Sequence, residues 1–447
     1  MEWAHAPAVL AHPQLGRKAA VLWRDLDRTT QSLDAVAAGD GAQWLDLYRL
    51  YTSSRPHLVE ALLGPFPPIR SSARLAAGLG PKRLGELARL ALLPVQRLAE
   101  QRFHNDGARL LITGNALHAD VSPTRAGSGL YGWLLTALAQ DVGFPVPVGG
   151  AGALTASLVS RLTTAGGIPR CEAEVDQILV RDGRAEGVRL RDGEVMRARA
   201  VLADVDAVAL YQTLLAGQHL PARVGVGLRR FRRGPSTFKL DWALSEPIPW
   251  ADAAIVPAGT VHIGDSPSAI GLSAGQVAAG CVPARPFTIV GQMTTADPTR
   301  SPPGTESAWA YAHVPQTIVD DAGSEGISGR WDERDVELFA RRVEAQIERH
   351  APGFRARIIA RHELSPLAIQ RDDANLVGGD LSGGTAQLRQ QLVLRPIPGL
   401  GRAGTPIRDL YLASSSAHPG AGVHGACGAN AAHSALLRDR GRRNRHG

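Results

Sequence analysis

An apolar, strand-like run, Asp409-Leu410-Tyr411-Leu412-Ala413, leads into His418-Pro419-Gly420-Ala421-Gly422-Val423-His424-Gly425 and then a helix-favouring stretch, 426–437. Positions 420–425 read G-x-G-x-x-G between a strand and a helix. Such a turn normally opens a βαβ unit of roughly 30 residues, with an acidic residue about 20 positions on, because its glycines let backbone approach a diphosphate. Here the residues after Leu437 are the basic string Arg438-Asp439-Arg440-Gly441-Arg442-Arg443 and little more. A returning strand has no room. The glycine turn is therefore expected to begin the closing helix of a fold, and the basic tail after Leu437 is expected to be disordered. Residues 1–22 hold no strand–glycine–helix unit, so the front of the chain lacks the signature that a nucleotide-binding chain usually begins with.

A chain of 447 residues is long enough for two or three domains with a sizeable core. Its 49 glycines and 30 prolines favour many tight turns over long bundles. The formal charge of +7 is concentrated partly in the last ten residues, arginines elsewhere are scattered, and aromatics make up 5%, so no basic stripe with interleaved aromatics argues for nucleic acid. Cys171, Cys281 and Cys427 are far apart and odd in number, which gives neither a disulfide framework nor a zinc spacing and points to a reducing compartment. Residues 1–13 lack a basic region followed by an apolar one, and no run approaches the ~18 apolar residues of a spanning helix. Leu130–Ala139 reads as a core helix. A cytoplasmic location is expected, with no metal.

Residues 1–145 read as mostly helical. Trp44, Leu47, Tyr48 and Tyr51 share one helix face that Asp40 is placed to cap, and Pro65-Phe66-Pro67-Pro68 breaks the chain. Helical stretches follow at 83–99, interrupted at Pro94, and at 129–142. After Pro147 a glycine cluster, Gly149-Gly150-Ala151-Gly152, opens a helix with Leu154, Leu158 and Leu162, ended by Gly166-Gly167. Short strands at 174–180, 185–190 and 195–200 are punctuated by Asp182-Gly183 and Asp192-Gly193, a β-meander. Residues 207–395 are α+β, with strands at 237–244, 287–292 and 307–314 and a helix at 332–350 whose Val336, Phe339, Val343 and Ile347 line one face.

Several of these patterns stand in a fixed order. Pro147-Val148-Gly149-Gly150-x-Gly152-x-Leu154 precedes Val175, then Gly183-Arg184-Ala185-x-Gly187-Val188-x-Leu190-x-Asp192-Gly193. Later come Phe238-Lys239-x-Asp241-Trp242-x-Leu244, Pro249-Trp250, Trp309-Ala310-Tyr311-x-His313-Val314-Pro315 and the closing glycine turn through Ala432. The ordered set resembles the phytoene-desaturase-like FAD-dependent oxidoreductases, in the branch containing pyridine nucleotide-disulfide oxidoreductase domain-containing protein 2, over essentially all of 1–437. The resemblance implies an α/β and α+β architecture of the glutathione-reductase/amine-oxidase type. Its FAD domain would be discontinuous (146–206 and 396–437), with a substrate domain at 207–395 on which 1–145 packs and a basic tail at 438–447. Family members open with a strand, a G-x-G-x-x-G turn, a helix and a second strand ending in Glu. That unit is expected to be missing here, and FAD binding to be weakened or lost with it.

The resemblance also assigns residues. Ser414, His418, Pro419, Gly420, Gly422, Val423, His424 and Gly425 would run beside the flavin ring, where a helix N-terminus stabilises negative charge on the reduced ring. Gly149 and Gly150 would pack on the cofactor or simply start a helix. Val175 would meet the adenine or be an ordinary buried strand valine. Lys239 resembles the lysine that holds a water near the flavin in amine oxidases, or is an edge-strand lysine in solvent. Lys239 and His424 are the catalytic candidates, and His313 and His424 either line a substrate cavity or are structural. The implied reaction removes hydride from a C–C or C–N bond of a small apolar substrate. Two other readings stay open: a flavin-free remnant acting as a binding or regulatory module, and a flavin amine oxidase. Expected partners are that substrate, a peripheral membrane contact and a partner chain or homodimer.

Overall fold

The structure, a computed structural model, describes residues 1–218 and 220–446. They form two compact units. The first comprises Met1–Ser53, Pro81–Pro169 and Pro235–Ile369; the second comprises Ser54–Gly80, Arg170–Gly234 and the residues from Gln370 onward.

The first unit is built on a seven-stranded sheet of β1 (Ala8–Gln14), β2 (Arg17–Leu22), β3 (Ser236–Leu244), β4 (Ala258–Ile263), β5 (Thr288–Gln292), β6 (Glu306–Val314) and β7 (Ile358–Leu364). Their order is β7-β3-β6-β5-β4-β1-β2, and only β4–β1 is parallel. Strand alternation decides what each face carries. Phe238, Leu240, Trp242 and Leu244 of β3 and Ala308, Ala310 and Ala312 of β6 are buried in one core with Phe339, Val343 and Ile347 of the helix Glu333–His350. That helix begins at Asp332, whose side chain accepts from the Asp335 N–H, and the alanines of β6 let its large apolar residues seat on the sheet. The residues between, Lys239 and Asp241 on β3 and Trp309, Tyr311 and His313 on β6, therefore share the other face. A second helix, Asp106–His118, is capped by Asn105 and packs on β1 and β2.

Two expectations for the ends of the chain are corrected. Residues 1–22 are strands rather than helix: β1 and β2 form a hairpin through Gly16, at φ 69°. β1 is buried along nearly its whole length, so it lacks the alternation that marks a half-exposed strand. At the other end, the helix Ala426–His446 continues where disorder was predicted; arginine is a good helix former, which lets the basic string extend it. Gly447 lies outside the described residues. Asp40 is the first residue of Asp40–Leu63, and its carboxylate accepts from the backbone N–H groups of His104 and Asn105, tying down a distant loop instead of capping its own helix.

The second unit contains the meander Val175–Arg181, Arg184–Leu190, Val195–Arg197, with Asp182 and Gly183 both at positive φ in its first turn. Beside it, Leu410–Leu412 pairs in parallel with Val201–Ala203, Leu410 opposite Val201. Ile178, Ala207, Leu210, Tyr211, Leu228, Ile407, Leu410 and Leu412 form its core. The sequence segment 146–206 is shared between the units: Val146–Pro147 pairs with Trp3–Ala4 in the first, and the meander lies in the second. Among the described residues, no helix is long and apolar enough to cross a membrane.

Candidate functional site

In the second unit, the chain leaves Leu410–Leu412 and is fastened at once. The Ser414 hydroxyl donates to the Val205 carbonyl at 2.7 Å, and the Ser416 hydroxyl donates to Gly383 O at 2.9 Å while accepting the Ala207 N–H at 3.2 Å. His418 Nε2 lies 3.2 Å from Gly64 O with its ring edge-on to Phe66, and burial pushes its pKa down. Beneath the turn lies Arg395, only 1% exposed. Its guanidinium donates to the carbonyls of Ser415 (2.6 Å from Nη2), Ser382 (2.8 Å) and Thr385 (3.0 Å). The Asp380 carboxylate accepts the Gly234, Ser382 and Gly384 N–H groups, so the loop holding those carbonyls is braced from both sides.

On this foundation sits the glycine turn. Gly420, Gly422 and Gly425 have φ of 105°, 142° and 61°, a region that side chains rarely tolerate. A Cβ on Gly420 would lie 3.2 Å from the Arg395 guanidinium carbon. Residues 421–425 are all exposed, Val423 at 93%. The turn is thus an open backbone ledge and not part of an apolar core. It runs into the N-terminus of Ala426–His446, where the backbone dipoles present their positive end. His424 Nδ1 accepts the Ala426 N–H at 3.0 Å, which makes this ring a cap of the helix. The Cys427 thiol donates to Gly420 O, and burial pushes its pKa up, so it anchors the turn as a neutral group.

In the first unit, the sheet face away from Glu333–His350 carries the other candidates. Lys239 is ion-paired with Asp241 two residues on. Across the register Tyr311 stands opposite Lys239 and Trp309 opposite Asp241, and the two rings stack with centroids 6.0 Å apart and planes 16° apart. Tyr311 also meets the His313 ring edge-on, and His313 Nε2 lies 2.8 Å from Asp120 Oδ1. Deeper in, Tyr311 touches His118, whose Nδ1 lies 3.1 Å from His262 Nε2, and His262 meets His12 edge-on at 5.1 Å. Burial is the main cause of lowered pKa values along this row: His12 falls to about 3, His118 to about 4, and His262 well below its ordinary value. These imidazoles are neutral at ordinary pH. Gly114 makes the row possible, since a Cβ there would stand 2.3 Å from His12 Nε2 and 2.7 Å from His262 Nδ1. Among the described residues, no group of three or more His, Cys, Asp or Glu side chains could hold a metal ion.

The remaining candidates fall as follows. Gly149 and Gly150 lie in the first unit: the Gly149 N–H donates to Asp297 Oδ2 at 2.8 Å, and Gly150 is pressed against the Arg300 guanidinium. Val175, in the second unit, is half-buried opposite Leu190. The structure brings Ser414, His418, Pro419, Gly420, Gly422, Val423, His424 and Gly425 into one feature, and sets Lys239 beside an aromatic pair. Sequence reasoning missed Arg395, Asp120 and the row His12–His262–His118. For Trp309, Tyr311 and His313 a signal was present, because alternate residues of one strand share a face.

No protein-family profile matches this chain. It is 30% identical over 356 residues to pyridine nucleotide-disulfide oxidoreductase domain-containing protein 2 of Mus musculus, covering 76% of this chain and 60% of that protein. It is 27% identical over 306 residues to the lycopene-forming phytoene desaturase of Pseudescherichia vulneris, covering 68% and 58%. This chain is a relative of the phytoene-desaturase-like oxidoreductases. It spans about 60% of the length of these relatives. Among solved structures, this desaturase-like chain is similar to an oxidoreductase from Methanosarcina mazei (TM-score 0.59, 12% identity, 98% of this chain and 82% of that one). It is also similar to putrescine oxidase bound to putrescine (TM-score 0.51, 13% identity, 98% and 82%). At these identities the shared property is the fold, which is that of the amine-oxidase-like oxidoreductases.

Proposed function

We propose that this chain acts as an FAD-dependent oxidoreductase that removes hydride from a C–C or C–N bond of a small apolar molecule. The observation that supports this most is the open glycine ledge, Gly420–Gly425, at the N-terminus of Ala426–His446 in a relative of the phytoene desaturases. A flat ring needs backbone it can approach closely, and side chains at Gly420 or Gly422 would fill that approach with strain. The residues present fit the flavin end of FAD: Gly420, Gly422, Val423 and Gly425 would lie along the ring, with Ser414, His418, Pro419 and His424 holding the turn in shape. Bound FAD supplies the hydride acceptor. The chain supplies the positive end of a helix dipole and an anchored backbone that excludes motion of the ledge. On the sheet face, Trp309 and Tyr311 offer an apolar wall for substrate, and Asp241 fixes the Lys239 ammonium beside it.

Val175, in the same unit as the ledge, is proposed as a further FAD contact, but it forms no run of free backbone donors for a diphosphate. FAD is therefore expected to bind weakly, in the micromolar range or above, since each missing charge-assisted hydrogen bond is worth about 1.5–3 kcal/mol. The test is absorbance in the flavin bands together with a fluorescence titration of the purified chain with FAD. Saturable binding that Gly420→Ala weakens at least tenfold supports the assignment. A well-folded chain that stays colourless and fails to bind FAD at millimolar concentration would favour the flavin-free module instead.

The aromatic stack beside Lys239 favours a second reading, a flavin amine oxidase. Turnover of primary amines with no turnover of polyenes would select it.

A further inference from the structure

On the sheet face opposite Lys239, the helix Glu333–His350 turns one side outward. Leu338, Arg341, Arg342, Ala345 and Arg349 recur there at helical spacing and form one wall and the floor of a groove of about 380 Å³. Arg285, from the segment before β5, and Arg355, from the turn after the helix, close it. Five guanidiniums from three separate segments line one depression, and Ala345 leaves its floor open.

These arginines are not equivalent. Arg342 is buried and uses its two terminal nitrogens on both oxygens of Asp321 (2.7 and 2.8 Å), on Glu325 and on Pro283 O, while its buried Nε has no described acceptor. Arg349 holds Asp265 Oδ2 with both terminal nitrogens at 3.0 Å. Arg342 and Arg349 thus hold Asp321, Glu325 and Asp265, and Glu325 is the one carboxylate among the residues that line the groove. The other three retain terminal N–H groups without a described acceptor. Arg285 reaches Asp265 only through Nη1, at 3.5 Å, and is 70% exposed. Arg341 engages Glu337 through Nε alone and is 67% exposed. Arg355 uses Nη2 on Arg341 O, at 3.0 Å. Five guanidiniums face one lining carboxylate, Glu325, so the groove offers more cationic N–H donors than acceptors, and a bound anion would supply the acceptors. The guanidinium fork matches phosphate oxygens in pairs. The volume lies within the range of small-ligand sites, but the lining is too charged for an apolar substrate.

We propose that this groove binds a soluble, multiply charged phosphate anion of the diphosphate class, through Arg285, Arg341 and Arg355. It is independent of the glycine ledge and of the flavin assignment. The experiment is isothermal titration of the whole chain with inorganic diphosphate at low salt, repeated with inorganic monophosphate and with phosphatidic-acid vesicles. Arg285→Gln/Arg341→Gln changes two exposed side chains, and an unaltered tryptophan emission and urea midpoint show that it is folded. Arg97→Gln, an exposed arginine elsewhere in the same unit, controls for general charge. The expected result is saturable diphosphate binding, tighter than monophosphate, at least tenfold weaker in the double variant and unchanged in Arg97→Gln. No diphosphate binding at millimolar concentration, equal binding by the double variant, or binding to vesicles without binding of free diphosphate would each overturn the proposal.

Discussion

Replacing His12 by leucine should flatten the acid side of the first unit's stability curve. His12 is fully buried, and neither ring nitrogen has a described hydrogen-bond partner, so the substitution breaks no bond. Leucine also stops short of the space above Gly114. In the folded chain burial holds the His12 pKa near 3, whereas the unfolded residue titrates near 6.5. Between those values the unfolded chain carries a proton that the folded chain refuses, so stability rises with pH and is lost on acidification from about 6.5 down to about 3. Each pH unit in that window is worth about 1.4 kcal/mol per such histidine, which makes the His12 share about 2 kcal/mol at pH 5. His118, with a pKa near 4, acts with the same sign from about 6.5 down to about 4. His12→Leu should thus leave the stability at pH 8 level or slightly raised, and remove about one proton's worth of slope between pH 5 and 6. Urea unfolding followed by tryptophan fluorescence measures this directly. All eight tryptophans (3, 23, 44, 133, 242, 250, 309 and 331) lie in the first unit, so their emission reports that unit. An identical pH slope in wild type and variant would show that His12 is charged or hydrated in the fold, and the reasoning would fail.

Gly114→Ala should destabilise the same unit by about 2–3 kcal/mol, because its methyl must displace two buried imidazoles; an unchanged urea midpoint would contradict the close packing. Arg395→Met should cost the second unit about 3–5 kcal/mol, as several buried carbonyls lose their donor together. Thermal unfolding by circular dichroism would register it, and a wild-type profile would show that the hub is dispensable. Lys239→Met removes the charge that Asp241 holds, and should lower turnover with amines at least tenfold while leaving FAD affinity within twofold; a change confined to FAD affinity would move Lys239 out of the substrate face.

Local order was legible from residues alone. The glycine turn into a closing helix, the meander punctuated by Asp182-Gly183, the one-sided helix with Phe339, Val343 and Ile347, and the alternation of Phe238, Leu240 and Trp242 each express a period or a turn preference carried within a few positions. Such signals survive because backbone geometry sets them before any distant contact forms. Only tertiary structure decided the rest. β1 reads with the helical front of the chain because burial on both faces erases its alternation, and its place beside β4 depends on residues some 250 positions away. Arg395 looks like any loop arginine until carbonyls from two segments close around it. His12, His118 and His262 become one neutral row, and five scattered arginines one groove, by long-range packing: desolvation and charge crowding belong to the space between segments, and no short stretch of sequence contains that space.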